Sequence, residues 1–102
     1  MPLTSAPSVK IKAFFKLTNP GGTGVIVPDR ANNIASVTQS VTNTFDVVFS
    51  SAMATANYQV IITGEATTPT SVFTVQTGKT SSGFTAKLTG GTAANITCTC
   101  IE

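Results

Sequence analysis

Reactive side chains are scarce in this sequence, and their spacing builds no catalytic centre. The chain holds no histidine, and its only carboxylates are Asp29, Asp46, Glu65 and Glu102. Without an imidazole, neither a Ser-His nor a Cys-His nucleophile can be assembled. Alternation puts Asp46 on the outer side of a strand, Glu65 falls in a loop and Glu102 is the terminus. No two carboxylates are paired in sequence at glycosidase spacing, although folding could bring two together. A Ser-Lys dyad stays formally open. No catalytic residue is assigned, and the chain is expected not to be an enzyme.

Metal and nucleotide chemistry fare no better. Cys98-Thr99-Cys100 is a C-x-C pair with no further Cys or His, so a single chain cannot complete a zinc site, and no metal or other cofactor is expected. On a strand the two sulfurs share one face. Their Cα separation would be near the upper limit for a disulfide, with poorly oriented Cβ vectors. Two readings stand for Cys98 and Cys100. They are small core residues beside Ile96, cysteine behaving as a buried hydrophobe, or they meet their copies around a symmetry axis. Gly21, Gly22 and Gly24 could suggest a phosphate loop, but the lysine and the following helix are missing.

Composition points to sheet and to assembly. Of 102 residues, enough for one domain, only 10% are charged, against roughly 25% in ordinary globular proteins. Thr is the commonest residue. Thr and Val are β-branched and fit a pleated, half-buried surface. So few charges leave strand edges poorly guarded, which implies that partner chains cover them; the plainer reading is that Thr and Ser hydroxyls solvate the surface. The net charge of +2 is too small for a nucleic-acid stripe. The first eight residues lack a signal peptide's basic and apolar regions, and no apolar run reaches the ~18–20 residues of a membrane span. Synthesis in a reducing cytoplasm, with no membrane and no nucleic-acid partner, is the simplest expectation.

Hydrophobic periodicity then supplies the elements. Residues 1–8, with two prolines, read as a flexible arm, and 9–102 as a single β-sandwich domain. Over 9–17 the chain alternates: Val9, Ile11, Ala13, Phe15 and Leu17 face inward, and Lys10, Lys12, Phe14 and Lys16 outward. The lysines are a standard guard against edge aggregation. Phe14 among them is either a docking residue or is covered by a loop. Lys10, Lys12, Phe14 and Lys16, together with Cys98 and Cys100, are the candidate interface. Further strands are expected over 25–27, 34–41, 44–49, 58–63, 72–77, 83–88 and 94–101. Strands 34–41 and 44–49 form a hairpin around Thr42-Asn43. Segment 29–33 reads as a turn, with Asn32 and Asn33 tolerant of left-handed backbone. Segment 50–57 is a small-residue loop with room for one helical turn. About eight short strands with turn signals every 8–12 residues indicate an all-β, antiparallel sandwich, jelly-roll-like, or a barrel.

One stretch carries a more specific signal. Ala13-Phe14-Phe15 precedes a Gly-rich turn, then Asn33-Ile34-Ala35-Ser36-Val37-Thr38, then Phe45-Asp46-Val47-Val48-Phe49, then Ala52-Met53-Ala54-Thr55-Ala56-Asn57-Tyr58-Gln59-Val60. This resembles a domain of phage tail fibres and other virion proteins, with its "N-x-x-S-x-T", "Y-x-V-x-F" and "A-M-P-D-A-N-Y-x-V" segments. About half of the chain matches, most specifically through Ala52, Met53, Asn57 and Tyr58. Ala54 and Thr55 replace the usual Pro and Asp, and Phe14 stands where Trp is common. The resemblance implies a trimerising β-sandwich of a virion, with no catalytic residues. In physical terms Met53 fills an irregular gap, Ala52 and Ala56 permit close approach, Asn57 turns the chain, and Tyr58 brings an apolar body whose hydroxyl seeks a partner.

A chain that begins with Met1 and holds one such domain is expected to be a complete small protein. The resemblance then implies a bacteriophage virion structural protein. It would be a homotrimeric capsid decoration (cement) protein or a small fibre or spike component, made in the host cytoplasm, with the major capsid protein or other virion proteins as partners. The rival is a carbohydrate-binding, receptor-binding module of a tail fibre that takes a host surface glycan. Its only plausible aromatic platforms are Phe14 and Tyr58.

Overall fold

A computed structural model describes residues 10–18, 20, 23–66, 72–75, 78–91 and 93–102. They form nine strands: β1 Ile11–Thr18, β2 Gly24–Ile26, β3 Arg30–Asn32, β4 Ile34–Val41, β5 Thr44–Phe49, β6 Gln59–Ala66, β7 Val72–Val75, β8 Gly83–Thr89 and β9 Ala93–Ile101. A four-stranded antiparallel sheet, in the order β3-β1-β9-β6, packs on a five-stranded one in the order β2-β4-β5-β8-β7. The protein is therefore a β-sandwich, as the alternation and turn spacing indicate.

Period-two patterning builds the core. The four-stranded sheet contributes Ala13, Phe15 and Leu17 from β1 and Ile96, Cys98 and Cys100 from β9. The five-stranded sheet contributes Val37 from β4, Phe45, Val47 and Phe49 from β5, and Phe84, Ala86 and Leu88 from β8. Each fully buried large apolar side chain contributes roughly 1.5–3 kcal/mol. Within the five-stranded sheet β5 and β8 approach closely at Gly83, where an added Cβ would collide with the carbonyl oxygen of Val47 on the neighbouring strand.

The expected hairpin is present as β4–β5, and its turn residue Asn43 has φ 68°. Gln39 sits at an inward position of β4, 2% exposed, and its amide is satisfied inside the fold. It donates to the Pro20 carbonyl at 2.7 Å and accepts from the Asn43 amide at 2.7 Å. A buried polar side chain with partners at both ends ties the hairpin turn to the chain after β1.

Four details differ from the sequence reading. The segment 29–33, expected as a turn, contains the three-residue strand β3, which pairs with Phe14, Phe15 and Lys16 of β1. Three residues with no apolar alternation leave no strand signature; the pairing comes from β1, which offers them an open edge. Glu65 lies within β6 rather than in a loop, because the strand runs on to Ala66 against β9. The segment 50–57 takes bends without a helical turn. Ile11, expected inside, is 62% exposed. The arm expected over 1–8, Val9 of the first strand, and residues 76–77 of the strand expected over 72–77 lie outside the described residues.

Candidate interaction surface

Ile11 faces outward because β1 carries a bulge. Ile11 pairs with Ile101 and Ala13 with Cys100, so Lys12 is an extra residue that faces no partner of its own. An extra residue inverts the alternation on one side of it. Ala13, Phe15 and Leu17 keep the inward parity, and Ile11 moves to the outer side, opposite Ile101. The bulge is held from behind by Asn33, a residue at φ 58°. Its Nδ2 donates to the Lys12 carbonyl at 3.1 Å and to the Ser51 carbonyl at 3.0 Å, and its Oδ1 accepts from the Ser51 amide at 2.7 Å.

The register of the four-stranded sheet then defines the outer surface. Ile11 stands opposite Ile101, and Ile101 opposite Gln59. In the next row Asn32, Phe14, Thr99 and Ile61 lie side by side. In the third, Arg30, Lys16, Thr97 and Thr63 do. Ile101 is thus flanked by Ile11 and sits diagonal to both Phe14 and Ile61, within reach of long side chains. Ile11 and Ile61 are exposed, at 62% and 44%, while Phe14 and Ile101 are half-buried. The result is an apolar cluster on the outside of the sandwich.

Its rim is basic. Lys12, Lys16 and Arg30, three of the six basic residues, border the cluster and are exposed, whereas the bulge puts Lys10 at the opposite parity, paired through its backbone with Glu102. Lys16 and Arg30 are directly opposite one another in the β1–β3 ladder. Like charges so placed destabilise a sheet by a few tenths to about 1 kcal/mol. The Asp29 carboxylate is taken up by the Thr18 hydroxyl, and its amide donates to the Lys16 carbonyl at 2.8 Å. Lys12, Lys16 and Phe14, singled out in the sequence, are therefore brought together on one surface without Lys10, and they are joined by Ile11, Ile61, Ile101 and Arg30, which sequence reasoning did not select. The sequence signal for Ile61 and Ile101 was present: both are apolar at outward parity.

Cys98 and Cys100 are elsewhere. Both are fully buried between the sheets, at 0% and 1% exposure, and neither is in a disulfide. Burial pushes the Cys98 thiol well above its ordinary range, with Cys100 adding to the shift. Burial likewise pushes Cys100 up to about 11, against a smaller opposing pull from Lys79. Neutral, enclosed thiols are poor nucleophiles and poor ligands. Their place is in the core beside Ile96, and neither reaches a surface where a copy could meet it.

The motif corner is structural packing with one solvent-facing part. Met53 is buried, and its amide donates to the Ser81 carbonyl at 2.7 Å. Ala52 and Asn57 are exposed, and the Asn57 amide donates to the Thr55 hydroxyl at 3.1 Å. Tyr58 is 1% exposed, with its ring edge-on to Phe49 at 5.4 Å and 6.4 Å from Phe84. Its hydroxyl shares its one proton between the carbonyls of Thr80 and Gly83, each 2.8 Å away. Lys79 lies 4.9 Å above the ring and donates to the Tyr58 carbonyl. Burial, with Cys100 second, pushes the phenol up to about 12. Tyr58 therefore locks the turn before β8 and offers no stacking platform to a sugar, which leaves Phe14 as the only one of the two named aromatics at the surface.

The outer side of the five-stranded sheet is different. It is lined by hydroxyls, with the row Val25, Thr38, Asp46, Thr85 across four strands. Asp46 accepts from the Thr85 hydroxyl at 3.0 Å. An open depression of about 290 Å3 lies there, bordered by Asp46, Val48, Thr80 and Ser82. Among the described residues it brings no second titratable group to Asp46. Among the described residues no three metal-ligating side chains cluster.

Comparison of the chain with family models, with curated proteins and with solved structures returned no match.

Proposed function

We propose that this protein is a bacteriophage virion structural protein that acts by assembly, as a homotrimeric capsid decoration protein or a small fibre or spike component. The observation that carries the reading is the outer side of the four-stranded sheet, where a bulge turns Ile11 out beside Ile101, Phe14 and Ile61 inside a basic rim. An exposed apolar cluster with a polar border is the form of a protein–protein contact. The opposed Lys16 and Arg30 add to this, because an acidic partner surface would relieve a repulsion that the free chain retains. The A-M-x-x-A-N-Y segment at Ala52 to Tyr58 supplies the virion part of the proposal.

Adhesion of this kind draws on apolar burial, about 25 cal/mol per Å2 before the entropy of association, and is multiplied when symmetric copies bind at once. Light scattering on the purified protein is expected to give three times the 10.4 kDa chain mass or a multiple of that. Co-sedimentation with empty capsids tests the decoration role. A stable monomer that fails to bind shells overturns it, and specific glycan binding that depends on Phe14 would favour the carbohydrate-binding alternative.

A further inference from the structure

The open edges of the two sheets are unequal. β2, β3 and β7 are edge strands of 3, 3 and 4 residues, whereas the edge strand β6 has 8. One side of β6 pairs with β9 along its whole length, and among the described residues no strand pairs with the other. Proteins blunt such edges with lysine, proline or a central bulge. From Gln59 to Gly64 this strand has no charge and no proline, and its one register shift falls at the far end, between Glu65 and Ala66. A long edge without charge over its first six residues presents a row of backbone donors and acceptors to another strand.

We infer that β6 pairs with β6 of a second copy, antiparallel, about a two-fold axis at Ile61. A strand paired with itself opposes equal lengths, whereas β3, the other edge of the same sheet, would offer only 3 residues. Parity restricts the register, since outward residues must oppose outward residues. With Ile61 on the axis, Gln59 opposes Thr63 and Val60 opposes Ile62, and no charge meets a like charge. The five-residue ladder stops short of Gly64, where β9 comes so close that a Cβ would collide with the Asn95 carbonyl. Glu65, whose carboxylate accepts from Asn95 Nδ2 at 2.7 Å, stays outside it. The outward Ile61 pair at the axis joins the apolar clusters of the two copies into one surface. This seam is an edge contact that goes beyond the trimer proposed above and does not depend on it.

The test is Ile61→Cys in the full chain, where both native thiols are buried. Directly opposed residues of an antiparallel pair lie roughly 4.5–5.5 Å apart at Cα, within disulfide reach. Mild oxidation is expected to give at least tenfold more covalent dimer than Thr97→Cys, which sits on the inner strand β9 of the same surface. Equal or absent cross-linking overturns the seam, including the case in which β6 instead takes an extended segment of another protein. Ile61→Lys, checked for native far-UV circular dichroism, is expected to halve an even-numbered assembly: dimer to monomer, or hexamer to trimer. A trimer whose mass Ile61→Lys leaves unchanged overturns the seam while leaving the trimer reading intact. A wild-type monomer without cross-linking overturns both.

Discussion

The two outer surfaces of this sandwich are built from the same few residue types and come out opposite in character. On the five-stranded sheet, Ser36, Thr38, Thr44, Thr74 and Thr85 alternate outward, Asp46 and Lys87 contribute one charge of each sign, and the exposed Val25, Val41, Val48 and Val72 sit on four separate strands. Hydroxyls there solvate a nearly charge-free sheet, and single exposed valines need no explanation. On the four-stranded sheet, one extra residue at Lys12 gathers Ile11 against Ile101 and its diagonal neighbours Phe14 and Ile61. The lesson is that low charge alone does not mark an interaction surface. The clustering does, and a bulge produces it.

The most damaging way to break the comparison is to remove the frame beneath both surfaces. Gly83→Ala drives a Cβ into the Val47 carbonyl between two inner strands of the five-stranded sheet. A loss of about 3 kcal/mol or more is expected, in the range of severe core substitutions. Urea titration measures it, and a midpoint near wild type would show that the strands separate easily.

Asn33→Ala should separate the surfaces. It removes three hydrogen bonds that hold the Lys12 bulge and the Ser51 corner, and leaves a less tolerant residue at φ 58°. At ~0.5–1.5 kcal/mol per bond the expected loss is about 2–4 kcal/mol. Amide exchange should rise around Lys12 and Ile101 and stay unchanged at Thr38 and Asp46. Uniform change across both sheets would contradict a local role for Asn33.

The shared core gives a pH-dependent effect. Unfolded cysteine ionises near 9.0 and tyrosine near 10.0, whereas the folded chain holds the Cys100 and Tyr58 protons to about 11 and about 12. Between those values the unfolded state binds fewer protons, so stability is intact below about pH 9 and falls as pH rises toward 11–12. Denaturant midpoints at pH 7, 9 and 10.5 check this. A midpoint that holds at pH 10.5 would mean that the phenol and thiols ionise as readily folded as unfolded.

Charge reversal is the smallest effect and the sharpest contrast. Arg30→Glu converts the Lys16–Arg30 opposition into an attractive pair and should stabilise the free chain by a few tenths of a kcal/mol, up to about 1. It should weaken assembly at the same time. Lys87→Glu on the other surface, opposite Thr44 and Thr74, should leave assembly unchanged. Equal effects on assembly from the two reversals would dissolve the distinction.

Much of the frame was legible in the sequence, because inward residues such as Phe45, Val47 and Phe49 or Phe84, Ala86 and Leu88 follow a strict period of two. The surface was half legible. Lys12, Phe14 and Lys16 declare themselves by sitting outward on one strand. Ile11 does not, since no glycine or proline marks the bulge, and parity can be counted only from Ile101 across the ladder. β3 was hidden for a related reason: Arg30, Ala31 and Asn32 gain strand geometry from β1 and not from their own pattern. Gln39 and Asn33 were missed as positioning residues because their partners are 19 and 21 residues away. Tyr58 looked like an available aromatic; only the fold shows it enclosed by Phe49, Phe84 and Lys79.

The central claim is that the four-stranded sheet carries the assembly surface. Light scattering on two matched double variants tests it most directly: Phe14→Ser with Ile101→Ser on that surface, and Val25→Ser with Val48→Ser on the other, each first shown to keep its sheet content. The account predicts that the first pair abolishes the trimer, leaving single chains or β6-paired dimers, and that the second keeps the wild-type mass. A trimer, or a multiple of one, that survives the first pair, or that is lost only with the second, would contradict it.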